Sequence, residues 1–332
     1  MPSTSLINAT AFFFLSFLSY AAATPTPSAI LARQAEAISP LTKAQISALK
    51  PFTYFAGAAY CTPAQTAKWN CGACKANKDF IPIASGGDGS TVQYWYVGYS
   101  PSQASVIVGH QGTNTSDFNA DITDTQIAMT QLDPTLFPGV NPAVEVHSGF
   151  ASVQVKSAKA ILKAVKSGIS AHSAKKVTLV GHSLGAALAL LDGIYLPLHI
   201  SGVTFRVVGY GMPRVCTYNV VSSPIPLLIL RVGNQNFAKY VDNHLKQLTR
   251  INNKEDPVPT LPGTPSSPAL TRIYLGFHHA SGEVHITDNN QWLSCPGQDN
   301  PSTQCSTGDV PNIFAGNVAD HHGPYDGVNM DC

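Results

Sequence analysis

The chain has 332 residues, and 44% of them are hydrophobic, enough for a sizeable core in one large domain or two. Charged residues make up only 12%, and the formal net charge of +1 gives no electrostatic ground for a nucleic acid or an anionic membrane surface as partner. No internal repeat stands out.

The first feature in chain order is Ala11 to Ala23, AFFFLSFLSYAAA, an apolar run too short to span a bilayer. It ends in small residues, with Ala21 and Ala23 spaced for a signal peptidase, and runs into the Pro/Thr-rich stretch Thr24 to Ser28. Residues 1–23 therefore read as a secretory signal peptide, although the n-region lacks Lys and Arg. The alternative is a buried N-terminal helix. No other segment reads as a transmembrane anchor, and the expected location is extracellular. Residues 24–40 read as a loose leader, ending near Arg33 if it is a propeptide. Seven cysteines in a secreted chain suggest disulfides with one left over. Cys71 and Cys74 are close in sequence, Cys295 and Cys305 bracket a polar loop, and Cys61 and Cys332 are placed to staple the termini; Cys216 is then the odd one. Zinc competes for Cys71-x-x-Cys74, but no second pair or close His follows.

Thr91 to Tyr96 and Ser105 to Val108 are predicted as consecutive strands, the second running into the glycine-bearing turn Gly109-His110-Gln111-Gly112-Thr113. A helix is predicted from about Ala151 to Ala171, with Val155, Ala158, Ile161, Leu162, Val165 and Ile169 on one face at helical spacing. Lys156, Lys159, Lys163 and Lys166 fall mostly on the other, solvated face. Lys175 to Val180 reads as a short buried strand, Gly181-His182-Ser183-Leu184-Gly185 as a tight turn, and Ala186 to Leu191 as a helix of strong formers. Strand, turn and helix are the setting of a nucleophile elbow. Its glycines let the backbone pass close to its neighbours, and the serine stands near a helix N-terminus, where negative charge is favoured. Further strands are predicted at Phe205 to Tyr210 and near Leu248 to Ile251. Strands alternating with helices argue for an α/β fold: a mostly parallel sheet with helices on both faces, one domain over residues 41–332.

A serine hydroxyl is a weak nucleophile and needs a His base oriented by a carboxylate. In α/β-hydrolases the chain order is Ser, then the acid, then His. Among the acids after Ser183, Asp192 lies on the helix leaving the elbow and is expected to point away. Asp256 follows a strand directly and is fixed by Pro257 and Pro259, which makes it the favoured acid. His244, His278, His279, His285, His321 and His322 follow it; the late pair His321-His322 fits the order, and His278-His279 is its competitor. His182 and His147, which precede Asp256, are expected to pack or hydrogen-bond. An oxyanion hole needs two backbone N–H groups; Leu184, after the nucleophile, and Thr113, in the turn after an early strand, are the candidates.

These residues resemble the fungal class 3 lipases, secreted α/β-hydrolases that cleave triacylglycerols, and the related feruloyl esterases. The resemblance runs from about Leu41 to Cys332. It is carried by Tyr60-Cys61, Gly112-Thr113, Val146-His147-Ser148-Gly149-Phe150, the elbow, Tyr210-Gly211-Met212-Pro213-Arg214-Val215, the run Arg250 to Pro259, and Asp320-His321. It implies Asp256 as acid and His321 rather than His322 as base, with pairings Cys61–Cys332, Cys71–Cys74 and Cys295–Cys305. It also implies an acyl-enzyme mechanism on a lipid or ester substrate, with no metal or organic cofactor required, in a monomer. A feruloyl or other aryl esterase on the same triad is the alternative function, and a catalytically silent lipid-binding relative is a third.

One departure from the family pattern stands out. Pro213-Arg214-Val215 breaks off, and Arg231 to Tyr240 resumes the pattern. The segment of about 215–231 holds Cys216 and the apolar run Ile225 to Leu230. An exposed apolar run is unusual on a soluble protein, so an intron retained in the coding sequence is expected, with a real lipid- or partner-binding loop as the alternative. Thr264 to Thr271 reads as a lengthened loop before Leu275-Gly276-Phe277. A weakly apolar lid is expected over Thr115 to Thr125, with Phe118 and Ile122 four apart among Asp117, Asp121 and Asp124, beside the sequon Asn114-Thr115-Ser116. Such a lid favours modest interfacial activation.

Overall fold

Strand residues buried on both faces build the centre of the molecule. In Lys176–His182 the two-residue period sends Val177 and Leu179 to one face and Val180 to the other, and all three are fully buried. The computed structural model describes residues 37–113, 129–214, 235–261, 278–311 and 313–332, within the unit Glu36–Cys332. In chain order the strands are β1 (Ser39–Pro40), β2 (Ile81–Gly86), β3 (Trp95–Ser100), β4 (Ser105–His110), β5 (Met129–Gln131), β6 (Glu145–His147), β7 (Lys176–His182), β8 (Thr204–Tyr210), β9 (Leu248–Asn253), β10 (Glu283–Ile286) and β11 (Trp292–Cys295). Nine of them form one sheet in the order β1-β11-β10-β9-β8-β7-β4-β3-β2, and β5 and β6 pair separately. The sheet is parallel from β4 to β10 and antiparallel at both edges.

Four longer helices flank it: α1 (Lys43–Ala58), α2 (Ser148–His172), α3 (Leu184–Tyr195) and α4 (Gln235–His244). Ile161 and Val165 of α2 and Leu190 and Leu191 of α3 pack with Val106, Val108, Leu179 and Val207 on one face. Phe52 and Phe55 of α1 pack with Ile107, Val180, Val208 and Ile251 on the other. Each such side chain contributes about 1.5–3 kcal/mol on full burial.

The α/β layout follows the predicted alternation; the edge strands β1, β2 and β11 were not anticipated, and three further differences have local causes. β3 begins at Trp95 rather than Thr91, because the Asp88 carboxylate accepts the N–H groups of Ser90 and Val92, each at 2.9 Å, and holds that stretch in a turn. Val155, expected on the apolar face of α2, is 43% exposed. The buried arc runs through Gln154, Ser157, Ala158, Ile161, Ala164 and Val165, and at the helical period Val155 lies beyond its edge. Helix α1 was not anticipated, yet Thr42-x-x-Gln45 signals its start. The Thr42 hydroxyl accepts the Gln45 N–H at 3.2 Å, and Gln45 Oε1 accepts the Thr42 N–H at 2.8 Å.

Disulfides join Cys61 to Cys332, Cys71 to Cys74 and Cys295 to Cys305, as the resemblance implies, and the zinc reading of Cys71 and Cys74 falls. Among the described residues no helix is long and apolar enough to cross a membrane. The signal peptide, the leader up to residue 36, the Asn114 sequon, the lid at Thr115 to Thr125, the 215–231 insert and the loop at Thr264 to Thr271 lie outside the described residues.

Candidate active site

The end of β7 forces Ser183 into an uncommon backbone conformation. Its φ of 57° and ψ of −129° are strained for a residue with a side chain. The turn is held by the Ser183 N–H donating to the Tyr210 carbonyl at 2.9 Å and the Ala186 N–H donating to the Ser183 carbonyl at 2.9 Å. A side chain at Gly185 would overlap the His110 carbonyl, and one at Gly181 the Gly185 carbonyl, so both ends of the pentapeptide are glycine. Ser183 itself is 4% exposed.

Asp256 follows β9 directly. Its N–H donates to the Asn253 carbonyl at 3.0 Å, and the chain then enters a short turn of 3-10 helix, Val258–Thr260. Asp256 Oδ1 accepts the Val258 N–H at 2.9 Å, while Oδ2 lies 2.8 Å from His321 Nδ1, with both side chains fully buried. His321 sits in the 3-10 turn Val318–His322, which is tied to the acid loop. Asn253 Nδ2–H donates to the Asp320 carbonyl at 2.9 Å, and the Asn317 N–H donates to the Glu255 carbonyl at 2.7 Å. The contact with Asp256 thus belongs to His321 and not to His322, whose ring centroid is 5.5 Å away from that of His321.

A carboxylate only accepts, so Nδ1 of His321 carries its proton and Nε2 is the basic nitrogen. Burial pushes His321 well below the ordinary 6.5, and the charge of His322 adds to the fall. Burial pushes the Asp256 carboxyl up, and the Val258 N–H and His322 work against that rise. The pair therefore presents a neutral imidazole.

Parallel pairing of Gly109 with Val180 and His110 with Gly181 brings the Gln111–Thr113 turn beside the elbow. Leu184 opens α3, so its N–H has no intrahelical acceptor. The Ser183 N–H is engaged, donating to the Tyr210 carbonyl at 2.9 Å. Thr113, in that turn, and Leu184 remain the candidate oxyanion donors.

The competing residues belong to other networks. Asp192 is buried, with Oδ2 3.0 Å from His110 Nε2 and Oδ1 accepting Gln154 Nε2–H at 2.7 Å, which ties α3 to β4 and α2. His278 Nδ1 and the His279 N–H meet Asp299 Oδ2 at 3.2 and 2.9 Å, and Arg214 Nε donates to Asp299 Oδ1 at 2.9 Å. His147 accepts the Gly149 N–H at 3.0 Å and caps α2. The partners of His182, Asp192 and Arg214 were not read from the sequence, because each lies in a distant segment.

A sequence profile described as lipase (class 3) matches residues 107–224 and 230–266. Over these residues the chain is similar to the class 3 lipase family. The break in the match falls inside the 215–231 insert. A secreted mono- and diacylglycerol lipase of Malassezia globosa is 29% identical over 295 residues, which covers 86% of this chain and 85% of that one. A solved triacylglycerol lipase, whose catalytic centre is formed by a serine-protease triad, superposes with a TM-score of 0.69 at 26% identity, over 89% of this chain and 98% of that one. Lipase II from Rhizopus niveus superposes with a TM-score of 0.70 at 26% identity, over 88% and 98%. The protein is a carboxylic-ester hydrolase of the α/β-hydrolase fold.

Proposed function

We propose that this protein is a secreted, monomeric triacylglycerol lipase that works through Ser183, His321 and Asp256. The reading is carried by the His321–Asp256 contact of 2.8 Å at the strand ends where the elbow presents Ser183. Ser183 Oγ attacks the ester carbonyl carbon as His321 Nε2 takes its proton, and Asp256 holds the resulting imidazolium. The N–H groups of Thr113 and Leu184 stabilise the tetrahedral oxyanion. The imidazolium then protonates the departing alcohol, leaving an acyl-enzyme, and water activated by His321 releases the acid by the same steps.

Emulsified triacylglycerol is expected to be hydrolysed by the purified protein, with acyl esters preferred over feruloyl esters across a chain-length series. Preference for the feruloyl esters would replace the lipase reading with an aryl-esterase one, and a protein that no fluorophosphonate labels would be the silent relative.

The electrostatics add a pH expectation. The base must be neutral to act, and burial lowers its pKa, so activity extends into acid. The acid limb of kcat/KM is expected to have its midpoint below 6.5. Replacing His322 by Gln removes a neighbouring positive charge and should move that midpoint up towards 6.5. Rate profiles of the two proteins on one soluble ester check this, and a downward move on substitution would contradict it. We also propose that residues 215–231 are a retained intron; spliced message carrying these codons would overturn that.

A further inference from the structure

Two polar side chains beside Ser183 have no part in the acyl-transfer scheme. Tyr60 lies just beyond α1 and is half-buried, and His182, the residue before the nucleophile, is fully buried. Both ring nitrogens of His182 are engaged: Nδ1 lies 2.6 Å from the Tyr60 hydroxyl, and Nε2 lies 2.7 Å from the backbone carbonyl oxygen of His321. Burial holds His182 well below the ordinary 6.5, and the charges of His321 and His322 act in the same sense, so the ring is neutral. A carbonyl oxygen only accepts, which places the ring proton on Nε2 and makes Nδ1 the acceptor of the Tyr60 O–H. Burial, opposed by the Gly112 N–H, holds the Tyr60 phenol above its ordinary range, so it remains a donor.

The links therefore run in one direction. Tyr60 O–H donates to His182 Nδ1, and His182 Nε2–H donates to the His321 carbonyl. A side chain at Gly112 would overlap both the Tyr60 hydroxyl and the His182 carbonyl. Through these two bonds and the close packing at Gly112, the turn holding Thr113, the elbow holding Ser183 and the turn holding His321 come together, three segments that meet only in the fold. The His182 and His321 rings lie 4.3 Å apart between centroids, so a charged His182 would oppose formation of the His321 imidazolium.

We propose that Tyr60 and His182 are positioning residues that hold the backbone of His321 in register with the oxyanion turn, so that base and oxyanion donors converge on one tetrahedral centre. The proposal rests on the triad reading of Ser183, His321 and Asp256. Losing the His182 N–H would leave the Tyr325 hydroxyl, at 3.1 Å, as the side-chain donor to that carbonyl among the described residues. A base displaced by a fraction of an ångström still binds substrate but transfers its proton less well. The effect therefore belongs in kcat rather than KM.

The test uses the full secreted protein and a soluble p-nitrophenyl ester, with kcat expressed per site labelled to completion by a fluorophosphonate. Tyr60→Phe is expected to lower per-site kcat about 10-fold and His182→Leu about 10- to 100-fold, with KM changed by less than about twofold. His182→Gln keeps an N–H that reaches the His321 carbonyl and is expected to recover part of the loss. The double variant Tyr60→Phe/His182→Leu should be no slower than His182→Leu alone, since both act through one chain of bonds. Per-site kcat within about twofold of wild type in Tyr60→Phe and His182→Gln, with only the labelled fraction reduced, would overturn the proposal, because a purely structural role removes folded enzyme and not turnover per site. Losses that multiply in the double variant would overturn it too. If His182→Leu yields no labelled enzyme, Tyr60→Phe and His182→Gln decide. Hydrolysis persisting in Ser183→Ala would instead remove the triad reading, and this proposal with it.

Discussion

Ser183→Ala is expected to lower kcat by about 10⁴- to 10⁶-fold while leaving the fold in place. On the proposed scheme the substitution removes the atom that forms the acyl bond and little else. Ser183 is held at φ 57° by its N–H to the Tyr210 carbonyl and by the close approach of Gly181 and Gly185, none of which involves the hydroxyl. Alanine bears the same backbone strain as serine at this position, so the elbow should not relax. On the proposed scheme the donors of Thr113 and Leu184 are unchanged, and the residual rate reports what binding and the oxyanion donors supply without a nucleophile. Ester hydrolysis by the purified variant, together with its circular dichroism and melting temperature, checks this. Wild-type turnover in a folded Ser183→Ala protein would move the chemistry to another residue.

Legibility of the site in the sequence depended on how local each signal is. The elbow was readable because strand period, paired glycines and helix formers all lie within Lys175 to Leu191. Asp256 was nearly as local, since Pro257 and Pro259 mark the loop that fixes it. His321 was not: order along the chain left His278-His279 in play, and the family resemblance supplied the preference. In the fold that competing pair gathers at Asp299 with Arg214, while the turn holding His321 is tied through Asn253 and Asn317 to the acid loop. The same limit hid the His110–Asp192–Gln154 cluster and the Tyr60–His182 pair. Each joins residues that only the parallel sheet brings together, and hydropathy period carries no record of which distant polar groups satisfy one another. The antiparallel edge strands were missed for a related reason. Ile81–Gly86 is short and only partly buried, so its side chains repeat no clear pattern.

Asp256→Asn is expected to lower kcat by about 10⁴-fold with KM little changed. The carboxylate uses its two oxygens differently: Oδ1 accepts the Val258 N–H at 2.9 Å, and Oδ2 faces His321 Nδ1 at 2.8 Å. An amide has one acceptor and one donor end. If its oxygen stays with the Val258 N–H, its NH₂ points at His321 Nδ1, which must then accept. The ring proton moves to Nε2, and the base loses the lone pair that takes the serine proton. If the amide turns over, its NH₂ meets the Val258 N–H, and two donors face each other in a fully buried site. The first arrangement costs less, so the fold selects the wrong tautomer. Stability should suffer little, because burial already disfavours the charge on Asp256 and the amide is neutral and nearly isosteric. The expected combination is therefore a near-native melting temperature, complete binding of substrate and almost no turnover. A variant that kept more than about one tenth of wild-type kcat would mean that Asp256 does not set the tautomer of His321.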